Sequence, residues 1–324
     1  MNNARFLLPF EQGLLDMPDA NVAVFRPVYA FGLSSLPAGT MLEQGFKPLH
    51  SMFLQAGFTV EPLLNNRFDL SLVHLTRNKI ESLAIIARAA RMTKGVVMVN
   101  GAKTDGIESI LKQVKKHVTP EGVISKSHGK VFWFRDIEFP DWEAAGNPAE
   151  NSSGLITAPG MFSAGKIDLG SQRLLPFLAG LTGRGADLGA GWGWLSMQIL
   201  QQQKVIKLDS FEADYYSLVA AETNVNDPRA TFHWADVTTL SKPNEPYDFV
   251  VSNPPFHLSR KADPELGKAF IKTASTLIKP NGRFLMVANR QLPYEACLDQ
   301  YFKSWKSLLS DGQFKVFEAT RPRK

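Results

Sequence analysis

The chain has 324 residues, of which 44% are hydrophobic and 21% are charged. This length suits two domains of about 150 residues each, and the apolar fraction excludes disorder throughout the chain. The single cysteine, Cys297, excludes an internal disulfide and a multi-cysteine metal site, so no metal is expected. The formal charge of +5 favours an anionic partner such as nucleic acid. No stretch reaches the roughly 18 apolar residues of a membrane span, which predicts a soluble, cytoplasmic protein without a membrane partner.

The N-terminal half alternates strand-like and helix-like segments. Val22 to Phe25 is the first strand predicted by its apolar run, and residues 68–73 form a later one. A helix, a turn at Gly95 and a strand at 96–99 are expected to follow. No glycine-rich turn comes after the first strand. This alternation predicts a parallel sheet covered by helices.

Residues 140–154 are rich in Pro, Gly, Asn and Ser and show no sustained period, which predicts a loop near the middle of the chain. We therefore expect a domain boundary there. The predicted domains are residues 1–150 and residues 151–324.

The C-terminal half follows a regular strand and helix order. We predict strands at 185–188, 205–212, 231–235, 247–252 and 282–288. Helices are expected from Trp194 onward, at 215–224 and at 265–278. This order is typical of a doubly wound α/β sheet, in which ligands bind at the carboxyl ends of the strands.

The two halves repeat one pattern. Phe68 to Val73 matches Tyr247 to Ser252, and each is followed by a helix, a glycine (Gly95, Gly282) and an apolar strand. This repeat predicts two copies of one fold, the alternative being chance similarity between Rossmann-like segments. The copies differ where chemistry is expected, because residues 74–77 (HLTR) stand where residues 253–256 are NPPF.

Residues 187–193 (DLGAGWG) form the first site motif. Glycines allow a sharp turn out of a strand and a close approach of a ligand to the backbone. Such a turn holds pyrophosphate in dinucleotide folds. Here Asp187 would repel a phosphate and attract an ammonium group. The motif thus favours a cofactor with an amino-acid end.

Two more acids are expected at the ends of successive strands. Glu212 is placed to accept hydrogen bonds from both hydroxyls of a ribose, and Asp236 from an adenine amino group. Together with the glycine turn they predict S-adenosylmethionine as the cofactor. The predicted cofactor contacts are Asp187, Gly189, Ala190, Gly191, Gly193, Glu212, Asp236 and Asn253.

The predicted catalytic residues are Asn253, Pro254, Pro255 and Phe256. Proline stiffens a turn, and the Asn253 side-chain oxygen and the Pro254 carbonyl can accept both protons of one substrate amine. Such an arrangement turns the nitrogen lone pair towards a methyl donor without a strong base. Phe256 offers a ring on which a planar base can stack. A rigid loop with an aromatic plug is the structural alternative.

These residues resemble class I methyltransferases with an Asn-Pro-Pro-aromatic motif, and more closely the bacterial ribosomal RNA small subunit methyltransferase C family. Residues 155–163 (LITAPGMFS) and 167–175 (IDLGSQRLL) extend the resemblance over about 155–320. It implies two tandem Rossmann-like class I methyltransferase domains, the N-terminal one degenerate. It also implies methyl transfer to N2 of a guanine in 16S rRNA, with ribosomal RNA or a ribosomal subunit as the partner.

Other substrates stay open at this point. Related enzymes methylate a guanine N2 in large-subunit rRNA, an adenine N6 or a protein glutamine, although Phe256 instead of tyrosine favours the guanine enzymes. A non-catalytic RNA-binding protein is a further alternative, which the intact glycine turn and Asn253 disfavour. Lys112, Lys115 and Lys116 are candidates for phosphate contacts or form a solvated helix face. A monomer is favoured over an oligomer.

Overall fold

The computed structural model describes residues 4–255 and 264–323, which divide into two compact units. Unit 1 comprises Met1–Pro148 and Ala158–Gly160, and unit 2 comprises Ala149–Thr157 and Met161–Lys324. The α-helices are α1 (Leu8–Glu11), α2 (Lys47–Gln55), α3 (Lys79–Met92), α4 (Ile107–Val114), α5 (Pro140–Gly146), α6 (Leu169–Leu174), α7 (Trp194–Leu200), α8 (Tyr215–Asn224), α9 (Pro264–Leu277) and α10 (Glu295–Tyr301).

Each unit contains a seven-stranded sheet. The strands of unit 1 are β1 (Val22–Phe25), β2 (Met41–Glu43), β3 (Thr59–Glu61), β4 (Phe68–His74), β5 (Thr93–Ala102), β6 (Gly122–Lys126) and β7 (Gly129–Phe134). Those of unit 2 are β8 (Ala149–Glu150), β9 (Ile156–Thr157), β10 (Gly183–Leu188), β11 (Val205–Glu212), β12 (Ala230–Trp234), β13 (Tyr247–Ser252), β14 (Ile278–Asn289), β15 (Phe302–Ser310) and β16 (Phe314–Pro322). Strands β8 and β9 form a separate pair.

The two large sheets have the same topology. Their strand orders are β3-β2-β1-β4-β5-β7-β6 and β12-β11-β10-β13-β14-β16-β15. In each sheet the first five strands are parallel, and the strand beside the fifth is antiparallel to it. The strand order reverses direction between β1 and β4 and between β10 and β13, which makes these points the expected ligand positions. The predicted duplication of one fold is confirmed.

Even local irregularities repeat. The register shifts between Phe68 and Leu70 on β4 and between Tyr247 and Phe249 on β13. A Cβ added at Gly95 would lie 2.2 Å from the Asp69 carbonyl oxygen, and one at Gly282 would lie 2.9 Å from that of Asp248. Both glycines lie within strands, so the turns predicted there are wrong. Because these glycines have no side chain, β4 can approach β5 closely, and β13 can approach β14.

The central strands are buried on both faces, which explains their continuous apolar runs. All four residues of β1 are buried, as are Val96–Val99 in β5 and Phe284–Ala288 in β14. Cys297 on α10 is 6% exposed and belongs to the core of unit 2.

Side chains fix where several helices begin. Asn78 accepts hydrogen bonds from the backbone N–H groups of Ile80 and Glu81 at α3, and Asp214 accepts one from Ser217 at α8. Such caps satisfy backbone donors that the first turn of a helix leaves unpaired.

The loop predicted over residues 140–154 is wrong for its first part, because α5 occupies Pro140–Gly146. Pro140 is in the first turn of α5, where a backbone N–H would have no partner within the helix, so proline is tolerated there. Trp142 stacks on Phe139 with ring centroids 4.2 Å apart, and Gly146 packs against Ala84. Tertiary packing thus stabilises a helix too short to show a period. Within the described residues, no helix combines the length and apolar character required to cross a membrane.

Candidate active site

The glycine turn lies between β10 and α7, at the carboxyl end of the sheet in unit 2. Gly189, Gly191 and Gly193 all have positive φ angles, of 79°, 57° and 92°. Apart from its two chain neighbours, a Cβ at Gly191 would meet no atom of the described residues within 4 Å, so the backbone here is open to a ligand. A Cβ at Gly193 would lie 2.8 Å from Val225, so this glycine lets α7 begin close to α8. The motif combines ligand access with helix packing.

Asp187 is completely buried at the end of β10. Its Oδ2 accepts a hydrogen bond of 2.7 Å from the Ser196 hydroxyl, while Oδ1 accepts none from the described residues. Burial raises the pKa of this carboxyl to about 7, with a smaller contribution from Glu212. A buried acceptor without a donor is costly, and a ligand ammonium group would compensate it. Asp187 therefore suits the amino-acid end of a cofactor.

Glu212 holds the glycine turn from the neighbouring strand. Its Oε2 accepts a hydrogen bond of 2.7 Å from the Gly191 N–H, and Oε1 accepts two from Ala213 and Asp214. Burial raises the pKa of this carboxyl despite these hydrogen bonds. Oε2 keeps one acceptor position. The predicted contact of Glu212 with the two ribose hydroxyls stays a prediction.

Asp236 follows β12 and caps a short 3-10 helix. Its Oδ1 accepts hydrogen bonds of 2.8 and 2.7 Å from the backbone N–H and the hydroxyl of Thr238. Oδ2 has no donor among the described residues. Asp236 is half-buried, and this carboxylate oxygen is a suitable acceptor for an amino group at the rim of the sheet.

The Asn253 side chain has a defined orientation. Its Nδ2 donates to Asp168 Oδ2 and to Ser171 Oγ, both at 2.8 Å. A carboxylate only accepts hydrogen bonds, so the amide nitrogen must be the atom that faces Asp168. Oδ1 is thereby directed away from this pair, and no described residue donates to it. The predicted acceptor for a substrate amine is thus held in place by two partners.

Asp168 and Ser171 were not among the predicted site residues. Asp168 Oδ2 also accepts a hydrogen bond of 2.8 Å from the Ser171 N–H and so caps α6. The acid followed three residues later by a serine, just before an apolar stretch, is the signal that could have predicted the cap. The link from this cap to Asn253 spans 85 residues and has no local signal.

The glycine turn and Asn253 share one cavity. A Cβ at Gly189 would lie 3.9 Å from the Asn253 carbonyl oxygen, so the two loops run side by side. The cavity is lined by Phe162, Ser163, Asp168, Ser171, Gly189, Ala190, Gly191, Trp192, Trp194, Leu195 and Asn253. Its walls thus combine aromatic rings with a few polar groups, as in small-molecule sites.

Four of the predicted residues line this cavity, namely Gly189, Ala190, Gly191 and Asn253. Asp187, Gly193, Glu212 and Asp236 do not line it. Pro254 is buried and Pro255 is exposed. Phe256, the predicted stacking ring, lies outside the described residues.

Residues 152–318 match the model of the methyltransferase small domain family. The chain belongs to this family. The methyltransferase small domain thus coincides with most of unit 2 and contains the whole cavity.

Relatives resemble the chain beyond the methyltransferase small domain. Ribosomal RNA small subunit methyltransferase C of Shewanella pealeana is 26% identical over 262 residues, covering 77% of this chain and 76% of the relative. The protein of that name from Vibrio vulnificus is 25% identical, covering 79% and 78%. A T. thermophilus 16S rRNA N2 methyltransferase, solved with AdoMet and guanosine, has a TM-score of 0.80 at 22% identity, covering 99% of this chain and 93% of that one. This last similarity shows that the two-unit fold is shared.

Unit 1 has different residues where the methyltransferase small domain has its site. The Arg26 backbone N–H donates to the Glu43 carbonyl as the Gly189 N–H donates to the Phe211 carbonyl, both at 2.9 Å, which makes Arg26 the counterpart of Gly189. By the same register Val24 replaces Asp187, Gln44 replaces Glu212 and His74 replaces Asn253. The Arg26 guanidinium pairs with Glu81. At the positions compared, the glycine and the acids of the site thus occur in unit 2 and not in unit 1.

Proposed function

We propose that this protein transfers a methyl group from S-adenosylmethionine to the exocyclic N2 amine of a guanine in 16S ribosomal RNA. The observation that carries the proposal is the fixed Asn253 amide beside the glycine turn. Its nitrogen donates hydrogen bonds to Asp168 and Ser171, so its oxygen is the atom that can accept a hydrogen bond from a substrate.

The chain positions an amine instead of deprotonating it. The N2 lone pair of guanine is delocalised into the ring, which makes the amine a poor nucleophile. Asn253 Oδ1 and the Pro254 carbonyl accept hydrogen bonds from the two N–H groups of the amine. These bonds hold the nitrogen lone pair out of the ring plane. The bound cofactor would supply a methyl group from its sulfonium. The C–S bond breaks as the C–N bond forms, S-adenosylhomocysteine leaves, and the methylated nitrogen then releases its proton to solvent. Positioning of this kind accounts for catalysis without a strong base.

The proposed cofactor residues divide by the chemistry they offer. Asp187 Oδ1 would hold the ammonium group, Glu212 Oε2 a ribose hydroxyl and Asp236 Oδ2 an adenine amine. Gly189, Ala190 and the open backbone at Gly191 would hold the cofactor on the side of the turn, and Gly193 sets the start of α7.

The choice of 16S rRNA is supported by the names of the curated relatives, which resemble the chain over about three quarters of its length. The guanine N2 position is supported by the T. thermophilus enzyme that was solved with guanosine. We assign residues 1–150 to RNA binding and residues 151–324 to catalysis. A ribosomal substrate implies a cytoplasmic location.

The test is to incubate the protein and methyl-labelled S-adenosylmethionine with separated rRNAs and ribosomal subunits, and to identify the modified nucleoside by mass spectrometry. We expect N2-methylguanosine in 16S rRNA or in the small subunit, and no label with Asn253→Ala in the same time. Label confined to large-subunit rRNA, to N6 of adenine or to a protein glutamine would replace this substrate by one of the alternatives.

A further inference from the structure

The carboxyl end of the sheet in unit 1 corresponds to the cofactor end of unit 2, but N-terminal residues cover it. Arg5 Nε donates to Asn100 Oδ1 at 3.0 Å, and Arg5 Nη1 donates to the Lys126 carbonyl at 2.7 Å. Phe6 is buried against His74, with ring centroids 5.7 Å apart. This end of the sheet is therefore closed, which leaves it available for a function other than cofactor binding.

The buried His74 ring belongs to this closure. Asn100 Nδ2 donates to its Nδ1 at 3.0 Å, and the ring is enclosed by the elements that carry Phe6, Asn100 and Arg5. Burial, together with the Arg5 charge, lowers the pKa of His74 to about 4, so the ring is neutral. The residue that replaces Asn253 is thus held inside the unit.

Two aromatic rings project from the loop that follows β1. Tyr29 is 76% exposed and Phe31 is 61% exposed, although large apolar side chains are usually buried. The next residue, Gly32, anchors this loop, since a Cβ there would lie 2.5 Å from Ala4 Cβ. The loop thus presents two neighbouring rings at the covered end of the sheet.

Basic side chains surround the same end. Arg77 follows β4, Lys103 follows β5 and Lys126 ends β6, and all three are exposed. No carboxylate of the described residues forms an ion pair with any of them. The Lys103 N–H donates to the His128 carbonyl at 2.9 Å, which ties β5 to the turn after Lys126. The backbone of this edge is thus tied together. The acid that shares a cavity with Lys103 and Lys126, Glu108, pairs with Lys130, which leaves the three exposed cations available to phosphates.

We propose that Tyr29, Phe31, Arg77, Lys103 and Lys126, here called the aromatic–basic edge, bind single-stranded RNA. Exposed rings stack on bases, and cations contact the phosphates between them. Bases within a duplex are already stacked, which selects an unpaired segment. The inference rests on the proposed function, because it supplies the RNA contact that methylation of rRNA requires.

The test measures binding of a fluorescein-labelled oligouridylate of about ten nucleotides by anisotropy over a range of salt concentrations. Tyr29→Ala/Phe31→Ala should weaken binding roughly tenfold or more at every salt concentration, since it removes stacking. Lys103→Ala/Lys126→Ala should lower the slope of log Kd against log salt by about 1.4, the value for two lost phosphate contacts on a single strand. Base-paired RNA should not respond to the aromatic pair.

Matched controls are Ile206→Ala, which truncates a 70% exposed apolar residue of unit 2, and Lys112→Ala/Lys116→Ala, the α4 pair, in which Lys112 lies in α4 and Lys116 just after it. Both should bind RNA as the wild type does. Wild-type affinity in the aromatic variant, or a loss confined to the α4 pair, would overturn the proposal. If the edge variants lose RNA as expected but the wild type methylates no rRNA, the surface stands and the proposed function fails. If rRNA is methylated and the edge variants bind RNA normally, only the surface fails.

Discussion

A single amide connects the chemistry to the fold at the residue scale. Asn253→Ala removes the acceptor that positions the substrate amine but leaves the glycine turn and Asp187 in place. We expect single-turnover methyl transfer to slow roughly a hundred- to a thousandfold, since one positioned hydrogen bond is worth about 3–4 kcal/mol in a transition state. Cofactor affinity measured by calorimetry should stay close to wild type. A rate within a few-fold of wild type would falsify amine positioning.

Asp168 should act through Asn253. In Asp168→Asn the new amide can also donate, so the Asn253 amide loses its fixed orientation. We expect single-turnover rates to fall roughly ten- to a hundredfold with unchanged cofactor affinity. Stability should be kept, because asparagine caps a helix as well as aspartate does. Asn78→Asp, a cap exchange at α3, is the matched control and should leave the rate unchanged. Equal rates in both variants would leave Asp168 as a cap and nothing more.

Asp187 predicts a pH dependence of cofactor binding. Its pKa is raised to about 7 in the folded protein, so below this pH the carboxyl carries a proton that it must release to pair with an ammonium group. Affinity should therefore fall as the pH drops from about 8 to about 6, by at most about tenfold per pH unit. Calorimetry in buffers of different ionisation enthalpy should detect about one proton released per cofactor near pH 6. Constant affinity without proton release would exclude Asp187 as the ammonium partner.

At the scale of elements, the sequence predicts segments whose signals are local. β1, β11, α8 and β13 have the predicted bounds because apolar runs and periods define them. α5 was missed because its stability comes from packing against Ala84 and Phe139. The glycine turn and Asn253 could be predicted from motifs. The hydrogen bonds that Asn253 donates to Asp168 and Ser171 could not be predicted, because only the folded chain brings these residues together.

Substitutions in the glycine turn should have different effects, on cofactor binding at Gly191 and on helix packing at Gly193. Gly191→Arg fills open space above the turn, so cofactor binding should be lost, whereas Gly191→Asn, which tolerates a positive φ, should retain more of it. Gly193→Ala should mainly lower stability, by about 1–3 kcal/mol, since φ is 92° and the added Cβ would contact Val225. Thermal melts and calorimetry on the three variants test this division. Similar cofactor affinity for Gly191→Arg and wild type would contradict it.

For the whole molecule, the same seven-stranded topology occurs twice with different contents. The second copy keeps glycines and acids around an open cavity. The first copy has Arg26, Gln44 and His74 at the corresponding positions, and Phe6 packs against His74. Shared topology therefore sets where a site can lie, and the side chains at the strand ends determine what it does.

This contrast predicts one cofactor molecule per chain. Titration calorimetry of the full-length protein with S-adenosylmethionine should give a stoichiometry near one, and Gly191→Arg should remove all of the binding heat. Arg26→Gly should not create a second site, because Val24 lacks the carboxylate of Asp187 and the N-terminal residues still cover His74. The matched control is Arg67→Gly, which changes an exposed arginine at the opposite end of the same sheet. Two sites in the wild type, or binding that persists in Gly191→Arg, would show that unit 1 holds a cofactor despite its substitutions.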